Sequence, residues 1–269
     1  MARHAIYVPL SGGAEDCEAL EAARALAPLY DAEVRAAFIG RDDAALLMVA
    51  GDGVAGFGAA AAQSLREARE QAAKDAEAAA QEFGAAYERM DGPRGGATAP
   101  ARLAALAVAD SRSARGDGLL TDVFQTLLLE DGAPVFVPRG KPAFEIVAAA
   151  WDGSREAARA LKAAAPILAQ AKEIHIVQAP RDVEAADAAI ADPAHARGWI
   201  AGRAPNARIE LVTTEGGDGK ALVDAAKSGG GADLLIAGAY GHARLREAVF
   251  GGATRSMLGS DGLSLLLAH

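Results

Sequence analysis

Two glycine clusters near the C-terminus carry the strongest chemical signal in this chain. Gly238-Ala239-Tyr240-Gly241 follows the apolar run Leu234 to Ala237, and nine residues after Gly241 the chain reads Gly251-Gly252-Ala253-Thr254. Glycines at a strand end let a ligand approach the backbone, and a glycine pair with a threonine at the opening of a helix offers free N–H groups and a hydroxyl. Phosphate is the guest that such a cradle suits. Asp152, within Trp151-Asp152-Gly153-Ser154, ends a second apolar run that begins at Ile146. In an open parallel sheet, ligands sit beyond the strand carboxyl ends, where neighbouring strands send their helices to opposite faces. With a strand order of 3-2-1-4-5 that crevice lies between strands 1 and 4, and Asp152 and Gly238 border it. Base or ribose donors would then face Asp152 and phosphates the glycines. Asp152 reads equally well as a turn or N-cap residue for the helix starting at Arg155, a role compatible with ligand binding.

The elements that must position these residues occur twice. Residues 22–39 (AARALAPLYDAEVRAAFI) and 160–177 (ALKAAAPILAQAKEIHIV) share an alanine-leucine helical pattern, a proline and an apolar run. A strand and a turn precede each: Ala5 to Leu10 then Ser11-Gly12-Gly13, and Ile146 to Trp151 then Asp152-Gly153-Ser154. The second half continues with predicted strands at Glu173–Gln178, Arg208–Thr213 and Asp233–Ala237. Helices are predicted within Val183–Ala201, at Lys220–Ala226 and at Arg244–Leu258. The first half follows the same plan, with a long helix over roughly Ala59 to Tyr87. Each half closes on a glycine and a short apolar run, Gly132 then Val135–Val137, and Gly262 then Leu263–Leu267. Such alternation implies parallel strands joined by helical crossovers. The expected class is α/β, two tandem doubly wound five-stranded sheets. Pro138-Arg139-Gly140-Lys141-Pro142 reads as the linker, giving domains 1–140 and 141–269.

Composition narrows the function classes. The 269 residues suit two domains at roughly 150 each, and 36 acidic against 27 basic residues give a net charge of -9. That charge repels a phosphate backbone, and no basic patch offsets it, so no nucleic-acid partner is expected. No apolar stretch reaches the ~18 to 20 residues that span a bilayer. The segment Ala5 to Val8 is too short for a secretion signal, so no membrane partner and a cytoplasmic location are expected. Cys17 is the one cysteine, set among Glu15, Asp16 and Glu18, whose charge opposes thiolate formation. It reads as inert. The five histidines show no metal-ligand spacing, and no metal site is expected. His242 reads as a solvated loop residue and His269 as a strand end. Gly51-Asp52-Gly53-Val54-Ala55-Gly56 matches a dinucleotide fingerprint but follows the second strand, so it reads as a connecting loop. Gly216 to Ala221 has alanine where a phosphate loop needs Ser or Thr.

The pattern G-x2-G-x9-G, filled by Gly238, Gly241 and Gly251, together with V-x3-W-D-G-S from Val147 to Ser154, resembles the universal stress proteins. Residues 144–269 resemble one complete domain of that family and residues 1–138 a diverged copy, the tandem form. The resemblance implies an adenine nucleotide alpha hydrolase-like sheet of order 3-2-1-4-5 with ATP, or ADP or AMP, between strands 1 and 4, and Mg2+ as a companion of the nucleotide. It places Asp152 at the adenosine, Val177 at the adenine, and Gly238, Gly241, Gly251, Gly252 and Thr254 at the ribose and phosphates. The implied role is regulatory or protective in stress response, with no catalytic residue. The alternatives are a nucleotide-free scaffold that docks partners and a slow ATP hydrolase, in which Asp152 and Thr254 are the candidates for metal contact. Gly252 stands where ATP-binding members carry Ser or Thr, a lost hydroxyl contact costing about 0.5 to 1.5 kcal/mol. Trp151 is placed either to stack on the base or to fill the crevice. In the first half Asp110-Ser111-Arg112-Ser113 occupies the place of the glycine motif and Ser11 or a neighbour that of Asp152. That half is expected to bind no nucleotide and to pack against its partner. The family's habit of pairing last strands points to Val135–Val137 and Leu263–Leu267, within one chain or between copies in a homodimer.

Overall fold

The structure is a computed structural model that describes residues 4–40, 55–90, 94–179, 189–214, 219–229, 231–239 and 252–269. The first half runs β1 (His4–Leu10), α1 (Glu15–Leu26), β2 (Ala32–Ile39), α2 (Ala55–Glu82), β3 (Ala86–Met90), α3 (Arg94–Thr98), β4 (Leu106–Val108), α4 (Ser111–Arg115), α5 (Thr121–Gln125) and β5 (Val135–Val137). The second runs β6 (Ile146–Ala150), α6 (Arg155–Ala163), α7 (Ala165–Leu168), β7 (Glu173–Gln178), α8 (Pro193–Ala201), β8 (Arg208–Thr213), α9 (Gly219–Ser228), β9 (Leu234–Gly238), α10 (Gly252–Gly259) and β10 (Ser264–Ala268).

Alternating strands and helices fold as the pattern predicts. The spatial order is β3-β2-β1-β4-β5-β10-β9-β6-β7-β8, so each half has the expected 3-2-1-4-5 order. All pairings within a half are parallel. The two halves differ from separate sheets in one respect: β5 and β10 pair antiparallel, with Leu266 opposite Phe136, and join them into a single ten-stranded sheet. The apolar closing segments of the halves thus cover each other's edges, as the resemblance implied.

Helices cover both faces. Ile6, Val8, Phe38, Ile174 and Ile176 belong to a core shared with α1, α2, α6, α7 and α8. Tyr7, Ala37, Val177, Leu235 and Ala237 face the opposite way, toward α4, α5, α9 and α10. Side chains alternate along each strand, so a near-continuous apolar run supplies both cores at once. In each half, therefore, the helix after strand 1 and the helix after strand 4 lie on opposite faces. That is the switch point at which a crevice opens.

Between the halves, Tyr30 Oη donates to the Ala163 carbonyl at 2.8 Å and the Phe136 and Phe144 rings meet edge to face at 6.2 Å. Arg139, in the segment linking β5 to β6, donates to the carbonyls of Leu258 (2.5 Å) and Ser260 at the end of α10. A guanidinium there satisfies orphan carbonyls and complements the helix dipole.

One predicted element ends early. The helical pattern read to Tyr87 stops at Glu82, because Gly84 takes φ 71° and turns the chain into β3. Gly84 N–H donates to the Gln81 carbonyl and Ala85 N–H to Ala80, closing the helix end. Tyr87 therefore stands on a strand, its hydroxyl donating to the Ala73 carbonyl at 3.0 Å. The fingerprint match at Gly51 lies mostly outside the described residues, as do most of Arg244–Leu258 before Gly252 and the start of Val183–Ala201.

Candidate functional site

The switch point of the second half lies at the first turn of α6, beyond the ends of β6 and β9. Ser154 is its N-cap, accepting from Ala157 N–H at 3.1 Å. Asp152 sits two residues earlier, half-buried, and its Oδ1 accepts from Ser154 N–H at 2.9 Å. The cap is thus Ser154, and Asp152 braces the cap in an Asx-type turn. Gly153 between them has φ 79°, and a Cβ there would fall 2.7 Å from the Ile190 carbonyl group. Only glycine suits that backbone and that cover.

Gly238 reaches the same helix turn from β9. A Cβ on Gly238 would lie 2.5 Å from Ala157 N and 2.8 Å from the Glu156 carbonyl carbon. The glycine lets the end of β9 approach the helix start, a packing reason for its presence. Asp152 and Gly238 are therefore brought together at one place, the opening turn of α6. The residue after Gly238 is tied down as well: Ala239 N–H donates to Ala268 at 2.8 Å, and His269 Nδ1 donates to the Ala239 carbonyl at 3.0 Å. His269 follows the last strand, as expected.

Thr254 lies in the first turn of α10 and is buried. Gly252 opens that helix, while Gly241, His242 and Gly251 lie outside the described residues. A Cβ on Gly219 would fall 1.8 Å from the Ala253 carbonyl oxygen. The glycine-rich segment before Lys220 thus ends in a residue that lets α9 and α10 touch. Val177 is fully buried on the α9 and α10 face, and its carbonyl accepts from Trp151 N–H at 2.9 Å. Trp151 leans the other way. Its Nε1 donates to the Asp192 carbonyl at 3.3 Å and its ring packs on the core beneath α8.

The first half sets carboxylates at the equivalent strand ends. By strand register, Ile6 pairs with Leu106 as Val147 pairs with Leu234, so Ser11 corresponds to Asp152, Asp16 to Ala157 and Asp110 to Gly238. Asp16 turns back from α1 over the Ser11-Gly12 loop, accepting from Gly12 N–H at 2.7 Å, Ser11 N–H at 3.0 Å and Ser11 Oγ at 3.2 Å. Burial pushes its carboxyl up to about 6, against the pull of those donors and with a further push from Asp110. Asp110 caps α4 by accepting from Ser113 N–H at 2.8 Å. Ser111 then donates to Glu18 (3.0 Å) and Arg112 to Glu15 (2.7 Å), tying α4 to α1 across the crevice. Asp110 and Asp16 of this half stand where the second half has Gly238 packed against Ala157.

The sequence put Asp110 in the place of the glycine motif but gave Asp16 no role there. Asp16 lies in the acidic start of α1, where carboxylates usually serve the helix dipole. The signal was available only from laying one half on the other, which puts two acids opposite an alanine and a glycine. Cys17 beside them is exposed, and partial burial with Glu82 and Asp16 pushes its thiol up, in keeping with an unreactive residue.

The sequence matches no protein-family model and no curated protein. Solved structures do resemble it. A universal stress protein from Archaeoglobus fulgidus DSM 4304 matches with a TM-score of 0.65 at 16% identity, over 98% of this chain and 96% of that one. A putative universal stress protein from Pseudomonas aeruginosa UCBPP-PA14 gives a TM-score of 0.52 at 16% identity, over 98% and 92%. A functionally unknown protein from Pseudomonas aeruginosa PAO1 gives 0.54 at 16% identity, with the same coverage. These likenesses run the whole length of the chain and establish that it shares the fold of those proteins.

Proposed function

We propose that this chain is a universal stress protein of tandem form that binds one adenine nucleotide in its second half and acts as a nucleotide-responsive regulatory or protective module. The observation that carries this reading is the contrast between equivalent positions: Asp110 and Asp16 in the first half, Gly238 and Ala157 in the second. Gly238 lets the end of strand 4 pack directly on the opening turn of α6 with no side chain, where the first half sets two carboxylates, and Asp152 supplies an acceptor beside it. Its Oδ1 is engaged with Ser154 N–H at 2.9 Å. A carboxylate has further lone pairs for ribose or base donors. The start of α10, with Gly252 and the buried Thr254, supplies helix N–H groups for phosphate. Mg2+ would enter with the phosphates rather than as a resident ion.

The first half is the packing partner. Its crevice is closed by its own carboxylates, and its last strand completes the joint sheet. Phosphate would meet Asp16, Asp110, Glu15 and Glu18 there, a repulsive setting.

The reading is tested by calorimetric titration of ATP and AMP against the native protein and two variants. Asp152→Asn keeps an oxygen for the Ser154 turn and removes the charge. A hydrogen bond to a charged group contributes about 1.5 to 3 kcal/mol, so the variant is expected to bind about 10- to 100-fold more weakly. Gly251→Leu is expected to abolish binding while the fold persists. Native-like binding in both variants would place the nucleotide elsewhere.

A further inference from the structure

Strand pairing assembles a group of metal-ligand donors that lie far apart in the sequence. Glu173 and His175 are two apart on β7 and so share a face of the sheet, and His175 pairs directly with Glu210 on β8. One donor atom from each of the three lies within 4.8 Å of the others. The His175 ring is fully buried beneath the end of α9, yet it reaches Glu173 Oε1 through Nε2 at 2.9 Å. Its other nitrogen, Nδ1, is buried with no hydrogen-bond partner among the described residues and lies near Gly229, 3.7 Å from where a Cβ on that residue would sit. Glu173 and Glu210 are partly exposed, so the cluster opens to solvent on one side.

We infer that Glu173, His175 and Glu210 form a binding site for a divalent transition-metal ion of the Zn2+ type at the outer edge of the second half. One imidazole nitrogen and two carboxylates are the mixed N and O donor set that zinc accepts, with a fourth position left for water. Hard Mg2+ and Ca2+ prefer all-oxygen sets, so the buried imidazole selects against them. Binding takes Nε2 as the ligand atom. The proton that Nε2 holds toward Glu173 moves to Nδ1, so the imidazole binds as the other neutral tautomer. Tetrahedral bonds of about 2.0 to 2.2 Å require the donors to settle little more than 3 Å apart. The Glu173 and His175 atoms are already nearly there, and Glu210, on an exposed edge strand, closes the remainder by a side-chain rotation.

One group competes. Arg208 on β8 lies 3.8 Å from Glu173 Oε1 and is paired with Glu210. Its side chain is two-thirds exposed, and a solvated ion pair of this kind is weak enough for a divalent ion to displace. The arginine then acts as a gatekeeper that sets affinity. Sequence spacing does not reveal the cluster, because 35 residues separate His175 from Glu210 and only the β7–β8 register brings them together.

The test is calorimetric titration of the full chain with Zn2+ in nucleotide-free buffer, which separates it from the nucleotide reading. The expected result is one ion per chain. Both Glu173→Gln and Glu210→Gln, which are partly exposed and leave the buried His175 in place, are expected to raise the Kd by at least about tenfold. Arg208→Met is expected to lower it. No binding at millimolar Zn2+, or a smaller shift than that in either glutamine variant, overturns the site.

Discussion

Asp16 makes the first-half crevice sensitive to pH, and the size of the effect follows from its surroundings. Its carboxyl is pushed from an ordinary 3.8 up to about 6, first by burial and then by Asp110, although three donors from Ser11 and Gly12 favour the charged form. A carboxyl that holds its proton more tightly when folded stabilises the fold most below its unfolded value, near 4. That contribution is lost as pH rises through about 6. A displacement of roughly two units at 1.36 kcal/mol each corresponds to about 3 kcal/mol between those limits. Asp16→Asn has no such titration, so it must gain on the native protein across that window. Urea unfolding of both proteins from about pH 4 to pH 7 gives the comparison. Other carboxyls cancel in the difference, including Glu15, whose backbone contact and Arg112 partner hold it below the ordinary range. The expected outcome is a stability difference, variant minus native, that rises by about 3 kcal/mol toward pH 7. A difference that stays flat, or falls, would refute the assignment of Asp16 as a buried carboxyl facing Asp110.

Two further substitutions probe the packing around the second-half site. Gly238→Ala places a methyl 2.5 Å from the backbone of Ala157, so it is expected to cost about 1 to 3 kcal/mol by thermal unfolding and to push α6 outward. Arg139→Met removes the donors to the Leu258 and Ser260 carbonyls and leaves them unsatisfied at the junction of the halves. Burial, with Arg115 nearby, already pushes that guanidinium down to about 10, and its loss is expected to lower stability by about 1 to 3 kcal/mol in urea unfolding.

Much of this architecture was legible in the sequence because it rests on periodicity. The strands Glu173–Gln178 and Arg208–Thr213 were bounded as they fold, since apolar runs between polar turns leave little freedom. The internal repeat implied two equivalent sheets, and the pairing of Val135–Val137 with the C-terminal strand was implied by the family resemblance. The helix read through to Tyr87 failed because alanine-rich periodicity carries no stop signal until Gly84 is recognised as a left-handed cap. At the site, Asp152 and Gly238 were read at the ends of neighbouring strands, and β6 and β9 do pair, since topology fixes where strands end. Side-chain direction was not legible. Trp151 turns to the Asp192 carbonyl, and Asp16 folds back over Gly12, through contacts across 41 residues in one case and within a single turn in the other. Neither is encoded in spacing. Gly238 also shows that a motif glycine can be required by helix–strand contact.

The central claim is that one half of the sheet holds a nucleotide and the other is closed by its own acids. Equilibrium titration of the full chain with ATP, with stoichiometry read per chain, tests it most directly. One nucleotide per chain is the predicted result. Two per chain would mean that Asp16 and Asp110 do not exclude nucleotide from the first half, and none at millimolar ATP would mean that the strand ends at Asp152 and Gly238 are not a nucleotide site.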